Sequence, residues 1–321
     1  MPKMMEPSQF RPDVCARGAK LRLELAIGEK TALPVLIARG TTAGSTLAIT
    51  ANIHGDEYEG VRAIFEIFEY LNPQQMTGDL IAVPVANPPA FWRGTRTSPV
   101  DGLNMARIFP GHAQGTLSEK IAHTLAHSII DHADFYLDLH SGGIAYRMPM
   151  MVGYSLDDRR SRVAANIFGA PVIWGHSLIA SGRTISYAQS RDIPWLYTEA
   201  RGAGRIHRDD LEMMKHGIEN LMRHLDILPG EIATPEIQWS LTGNGNTDDG
   251  IAATHAGFLL SRVDVLQDVV AGELLGSLVS PSGELIEEYR AAKPGVVALI
   301  HEFPVVQPGD SLFLLADREA Q

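Results

Sequence analysis

The stretch T-L-A-I-T-A-N-I-H-G-D-E-Y-E-G-V-R-A-I-F-E-I-F-E-Y-L, Thr46 to Leu71, decides how the chain is read. Leu47 to Ala51 is a short apolar, β-branched run of the kind that forms a buried strand, and the polar residues after Asn52 end it. From Gly60 the apolar residues Val61, Ile64, Phe65, Phe68 and Leu71 recur at steps of three and four, so one helical face packs while Glu66 and Glu69 stay wet. Asn72-Pro73 stops that helix. His54 and Glu57 therefore sit in the turn between a strand and a helix, which in an open α/β sheet lies at the carboxyl edge where ligands bind. An imidazole and a carboxylate three residues apart on such a turn suit one zinc ion, which takes nitrogen and oxygen ligands at about 2.0 to 2.2 Å. His216 and Glu219 share this spacing but lie in a charged helical run with no strand before it, and read as a solvated face.

Composition narrows the field. The 321 residues suffice for two domains, and 45% hydrophobic with 20% charged content describes an ordinary globular protein. With 27 Lys and Arg against 38 Asp and Glu, the net charge of −11 disfavours a broad grip on nucleic acid or an anionic membrane. An acidic substrate must then meet locally placed arginines. Cys15 is the only cysteine, so a metal must be held by His and carboxylate, and the thiol content suits the reducing cytoplasm. The N-terminus lacks an apolar signal core, and no apolar run approaches the roughly 18 residues of a membrane span.

Along the chain, residues 1 to 18 carry three prolines without periodicity and read as a surface arm. Leu21, Leu23 and Leu25 alternate with polar positions, and Gly28-Glu29-Lys30 turns them into Leu33 to Ala38 as an antiparallel hairpin. After Leu80 to Ala86, another strand, Asn87-Pro88-Pro89 is expected to forbid a helix and open a long loop from Ala90 to Gly115. Thr116 and Glu119 form a capping-box pattern for a helix to about His132. Phe135 to Leu139, Met148 to Tyr154, Pro171 to Trp174 and Pro194 to Ala200 read as strands, with helices near Asp157 to Phe168 and from Arg208 to Leu228. This alternation predicts an α/β fold: a mixed, mostly parallel sheet with helices on both faces. Pro229-Gly230 closes it, and the short runs between Gly and Pro that follow predict a small all-β domain. The expected boundaries are 1–229 and 230–321.

Asp138 and His140 alternate with Leu137 and Leu139 at a strand end, so both polar side chains point toward the edge that holds His54 and Glu57. His54, Glu57 and His140 with one open position is the pattern of a catalytic zinc site; the competing readings are a plain polar turn for His54 and Glu57 and a cap on the following Gly-rich turn for His140. Asp138 reads either as an acceptor for an imidazole N–H or as an acid satisfied by turn amides. Glu199 ends a further strand at the same edge, where a carboxylate can take a proton from water and pass it to a leaving amine; the competing reading is an ion pair with Arg201 or Arg205. His123 and His127 have ligand spacing on a helix but lie opposite its apolar stripe, and read as solvated.

H-G-D-E at 54 to 57, D-L-H-S at 138 to 141, the loop R-T-S-P-V-D-G-L-N-M-A-R-I-F-P-G from Arg96 to Gly111, and Y-T-E at 197 to 199 together resemble the succinylglutamate desuccinylase/aspartoacylase family, a branch of the zinc carboxypeptidase fold. The likeness runs from about residue 20 to the C-terminus, with the motifs in the family's order. The resemblance implies that His54, Glu57 and His140 bind one zinc, that Glu199 is the general base, that Arg96 polarises the scissile carbonyl and that Arg107 holds a substrate carboxylate. The family loop usually carries an Asn-Arg pair; here Ala106 stands at the Asn position and Asn104 is the nearest amide. The piece with V-V-A-G-E-L-L-G-S-L at 269 to 278 and A-K-P-G-V-V-A-L-I at 292 to 300 is similar to the family's barrel-like β domain. Its hairpin at Ser282-Gly283-Glu284 lacks a lysine for cofactor attachment, which favours cleft shaping or the assembly of a homo-oligomer.

These readings together predict a zinc-dependent hydrolase that removes the acyl group from an N-acyl amino acid or similar small, carboxylate-bearing amide. Two other readings use the same residues: a metallocarboxypeptidase acting on peptides, and a metal-binding regulatory protein without catalysis.

Overall fold

A computed structural model describes residues 3–28, 30–233, 236–243 and 245–319. The strands of the first two-thirds are β1 (Lys3–Met5), β2 (Ala19–Ala26), β3 (Ala32–Arg39), β4 (Thr42–Ala51), β5 (Thr77–Val83), β6 (Phe135–Ser141), β7 (Tyr146–Arg147), β8 (Met151–Ser155), β9 (Val172–His176) and β10 (Trp195–Ala200), followed by β11 (Trp239–Thr242). The helices are α1 (Glu59–Tyr70), α2 (Pro88–Arg93), α3 (Leu117–Thr124), α4 (Arg159–Phe168), α5 (Thr184–Ser190) and α6 (Arg208–His224). The main sheet runs β1-β2-β3-β5-β4-β6-β10-β8-β9-β11. Pairing is parallel for β4 with β5 and β6, β6 with β10, β8 with β9, and β9 with β11. It is antiparallel for β2 with β3, β3 with β5, and β8 with β10.

The pleat sorts side chains between two cores. Leu47, Ile49 and Ala51 of β4 and Phe135, Leu137 and Leu139 of β6 face one core with α1, α4 and α6, whereas Ala48 and Tyr136 face the other with α3 and α5. Both faces are covered, which explains why these strands read as continuous apolar runs. Each fully buried Leu, Ile or Phe contributes about 1.5–3 kcal/mol, so the central strands carry a firm frame for whatever their ends present.

Three local expectations give way. Pro88 and Pro89 begin α2: Asn87 caps it by accepting from Ala90 N, and prolines at the first positions lack only N–H groups that have no intrahelical partner there. Phe65 is half-exposed, because α1 presents Val61, Ala63, Ile64, Ile67 and Phe68 to the core. The N-terminal arm is tied down: β1 pairs parallel with β2, and Phe10 and Cys15 are buried. The capping box at Thr116 and Glu119 is present as read, and α3 continues through irregular helical turns to His132. Glu29, in the turn expected between β2 and β3, lies outside the described residues.

Beyond α6 the described residues are strands and turns. Ser311–Arg318 pairs antiparallel with β11 and with Gly295–His301, so the C-terminal strands extend the main sheet. A separate antiparallel sheet has the order Leu285–Arg290, Leu274–Val279, Gly257–Ser261, Val305–Val306. Among the described residues no helix is long and apolar enough to cross a membrane.

Candidate active site

Strands β4, β6 and β10 lie side by side and parallel, with Thr50 opposite Asp138 and His140 opposite Glu199. Their carboxyl ends therefore deliver side chains to one place. After β4 the chain turns sharply at Asn52, which adopts a left-handed conformation that Asn tolerates better than most residues, and Asn52 Nδ2 donates to the Glu57 carbonyl at 2.9 Å. A Cβ at Gly55 would lie 2.1 Å from the Ala90 carbonyl carbon, so only glycine lets this turn press against α2. His54 and Glu57 are thereby fixed at the sheet edge, both buried.

His54 Nδ1 lies 2.7 Å from Glu57 Oε1, and His140 Nδ1 lies 2.8 Å from Glu57 Oε2. One ligand atom from each of the three residues lies within 4.8 Å of the others, a group able to hold a metal ion. The far nitrogens are also engaged. His140 Nε2 is 3.0 Å from Asp138 Oδ2, and His54 Nε2 is 3.2 Å from Asn104 Oδ1. An Nε2–H donated to each oxygen leaves Nδ1 of both rings as the free ligand atom, the arrangement by which outer partners orient metal-binding imidazoles. The donor set, two imidazoles and a carboxylate, fits zinc. Asp138 is thus the imidazole acceptor, not an acid satisfied by turn amides; it also accepts from Thr50 Oγ1 at 2.6 Å and from Thr184 Oγ1.

Electrostatics follow from burial and proximity. Burial, with Arg96 nearby, pulls the His54 imidazole down to about 4, which keeps it neutral. Burial opposes ionisation of Glu57, but the two imidazoles hold its carboxyl well below the usual range. For His140, burial favours the neutral ring, and the Asp138 and Glu57 carboxylates outweigh it and raise the pKa. Burial and the nearby Glu57 push Glu199 up to about 8. Its Oε2 is buried without a hydrogen-bond partner. Arg201 bonds instead to Asp210, through its backbone N at 2.8 Å and its guanidinium at 3.1 Å.

The cavity at this edge is lined by His54, His140 and Glu199 together with Arg96, Arg107 and Arg183. Arg96 Nη1 is 3.3 Å from Glu57 Oε1, and its guanidinium lies over the Tyr146 ring. Arg107 is engaged in a two-pronged pair, Nε and Nη2 each 2.9 Å from an Asp248 carboxylate oxygen. Asn104 turns its Oδ1 to the Ala106 N–H at 3.0 Å as well as to His54. Arg183, at the start of a helix that the sequence pattern does not reveal, donates through Nη2 to Asn246 at 2.7 Å, while its Nη1 is buried and unpartnered. His176, to which the sequence assigns no role, bonds to Tyr197 OH at 2.8 Å and to the Gly243 carbonyl at 2.7 Å.

The histidines read as solvated stay apart from this cluster. His127 is exposed beside Asp131 at 3.0 Å, His123 packs against its ring, and His216 bonds to the Ala233 carbonyl.

Comparison with known proteins assigns the chain to a family of deacylases. Residues 43–225 match the model of the succinylglutamate desuccinylase/aspartoacylase catalytic domain. The chain belongs to that family. It is 32% identical over 295 residues to an N-alpha-acetyl-L-2,4-diaminobutyric acid deacetylase of Halomonas elongata, covering 89% of this chain and 85% of that one. Among solved structures it is similar to a succinylglutamate desuccinylase from Silicibacter sp. TM1040, with 29% identity, TM-score 0.84, and 94% and 95% of the two chains covered. The product-bound ectoine utilization protein EutE (DoeB) from Ruegeria pomeroyi also gives 29% identity and TM-score 0.84, with 93% and 95% covered.

Proposed function

We propose that this protein is a zinc-dependent amide hydrolase that removes the acyl group from a small N-acyl amino acid. The observation that carries the reading is the convergence of His54, Glu57 and His140 within 4.8 Å beside Glu199, whose buried Oε2 has no hydrogen-bond partner. Zinc held by the three residues supplies Lewis acidity to the reacting carbonyl and water. Glu199 accepts the proton of the attacking water at Oε2 and returns it to the leaving nitrogen. Arg96 stabilises the negative charge that develops on the carbonyl oxygen. Arg183, with a free buried N–H, and Arg107, paired to Asp248, face the substrate's carboxylate end.

In this reading residues 1–229 form the hydrolase domain and 230–321 a β domain whose Gly245 and Thr247 help line the catalytic cavity. A cavity closed in this way suits a small amide better than a peptide. The similarity to a diaminobutyric acid deacetylase supports an acetylated amino acid with one carboxylate as the first substrate to try.

The test is metal analysis of the purified protein followed by a panel of N-acyl amino acids and C-terminally free peptides. Stoichiometric zinc with turnover of the N-acyl amino acids is expected. Turnover of peptides alone would make it a carboxypeptidase, and zinc without turnover of either would make it a binding protein.

A further inference from the structure

The Arg107–Asp248 pair bridges parts of the chain 141 residues apart. Asp248 belongs to the turn Thr247–Asp249, whose first residue lines the catalytic cavity, and Asp248 itself lines an adjoining cavity that shares Arg96 and Arg107. The charge at the amine end of the site follows. Arg107 is neutralised by both oxygens of Asp248, and Asp249 adds further negative field at Arg183. His176, whose imidazole burial pulls down to about 4, adds no charge. Among the described residues lining the catalytic cavity, Arg183 is the cationic group left beyond Arg96 to answer a carboxylate. A substrate with a second carboxylate would have to displace Asp248 from a bidentate guanidinium contact, whereas a neutral or cationic side chain leaves the pair intact or meets the half-exposed Asp248 directly.

We infer that Asp248 is a specificity-determining residue: by holding Arg107 it sets the site for N-acyl amino acids with a single carboxylate and a neutral or ammonium-bearing side chain, and against those with a second carboxylate. This rests on the hydrolase reading above. The pair also accounts for Ala106: with Arg107 committed to Asp248, no neighbouring amide is needed to complete a carboxylate clamp.

The experiment compares kcat/KM of the zinc-loaded protein for N-acetyl-L-2,4-diaminobutyrate, N-acetyl-L-alanine and N-acetyl-L-aspartate. The wild type prefers the first two. Asp248→Asn shifts the diaminobutyrate-to-aspartate ratio at least about ten-fold toward aspartate, chiefly through KM, because Arg107 is released. Asp248→Glu keeps the wild-type order, and Asp268→Asn, which breaks an exposed pair with Arg318 elsewhere, leaves the ratio unchanged. Calorimetric binding of L-aspartate and L-2,4-diaminobutyrate shifts in the same direction and does not depend on turnover. An active wild type whose ratio is the same in Asp248→Asn, or one that prefers N-acetyl-L-aspartate, overturns the role of Asp248 alone. A zinc-loaded wild type that hydrolyses no N-acyl amino acid overturns the hydrolase reading and this inference with it.

Discussion

His54, Glu57, His140 and Glu199 are carried by the ends of three adjacent parallel strands, whereas Arg96, Arg107, Arg183 and Asp248 come from loops and short helical turns in separate parts of the chain. The first group is fixed by strand register and by a surrounding set of hydrogen bonds from Asn52, Asn104 and Asp138. The second is fixed by contacts between separate segments: Arg107 with Asp248, Arg183 with Asn246, and Arg96 with Glu57 and Tyr146. A frame-built end suits chemistry that tolerates little displacement, and a loop-built end suits substrate selection, where a single exchanged side chain changes the outcome.

The largest effect lies at the frame-built end. His54→Ala, Glu57→Ala or His140→Ala removes one of the three proposed ligands and should cost both bound zinc and activity, as should chelation of the wild type. His123→Ala, His127→Ala and His216→Ala should leave the metal content unchanged. Stoichiometric zinc in all three ligand variants, measured by elemental analysis, would end the assignment.

Next in size is Glu199→Gln, which keeps the shape of the side chain but cannot accept a proton. General acid–base contributions are typically about 10²- to 10⁴-fold, so kcat should fall by that order while KM and zinc content hold. A Gln variant as active as the parent would move the base elsewhere, with Asp138 the first residue to examine.

Asp138→Asn probes the support around the ligands. It weakens the acceptor for His140 Nε2–H and leaves Thr50 and Thr184 with a poorer partner. Loss of such outer partners typically lowers metal affinity about 10- to 100-fold, so competition with a chelator should show weaker binding by that factor. Unchanged affinity would mean that ring orientation is set by packing alone.

The same contrast separates what is legible in the amino-acid sequence from what is not. His54, Glu57, His140 and Glu199 sit where a buried run meets polar residues, and alternation along Leu137-Asp138-Leu139-His140 fixes which side chains share an edge. Local pattern therefore carries them. Arg183 and Thr184 escape it because α5 is seven residues long and gives too little periodicity to register. Asp248 carries no local signal at all: its meaning comes from a contact with Arg107 that the tertiary fold alone creates. Pro88-Pro89 misleads because proline stops a helix that precedes it but suits the first turn of one that follows. Asn52 reads only as the end of a strand, since its left-handed backbone and its bond to the Glu57 carbonyl leave no trace in composition.

Arg107→Ala gives the smallest expected effect and tests whether the loop-built end works as a unit. The side chains of Arg107 and Asp248 are 26% and 59% exposed, and a pair that wet contributes little to folding, typically about 0–1 kcal/mol. The melting temperature should therefore barely change. Substrate binding is a different matter, because truncation leaves the Asp248 carboxylate uncompensated near the substrate's own carboxylate. KM for carboxylate-bearing substrates should rise by up to about ten-fold, equivalent to about 1.4 kcal/mol, with kcat little altered, and an analogue with a neutral amide in place of the carboxylate should respond less. Removing both partners in Arg107→Ala/Asp248→Ala should recover part of the loss, since the unpaired negative charge goes with them. If the double variant is as impaired as the single one, Arg107 acts on the substrate directly and Asp248 only holds its place. If neither variant changes KM, the Arg107–Asp248 pair exerts no field on the substrate's carboxylate, and substitution of Arg183 becomes the way to move the substrate end.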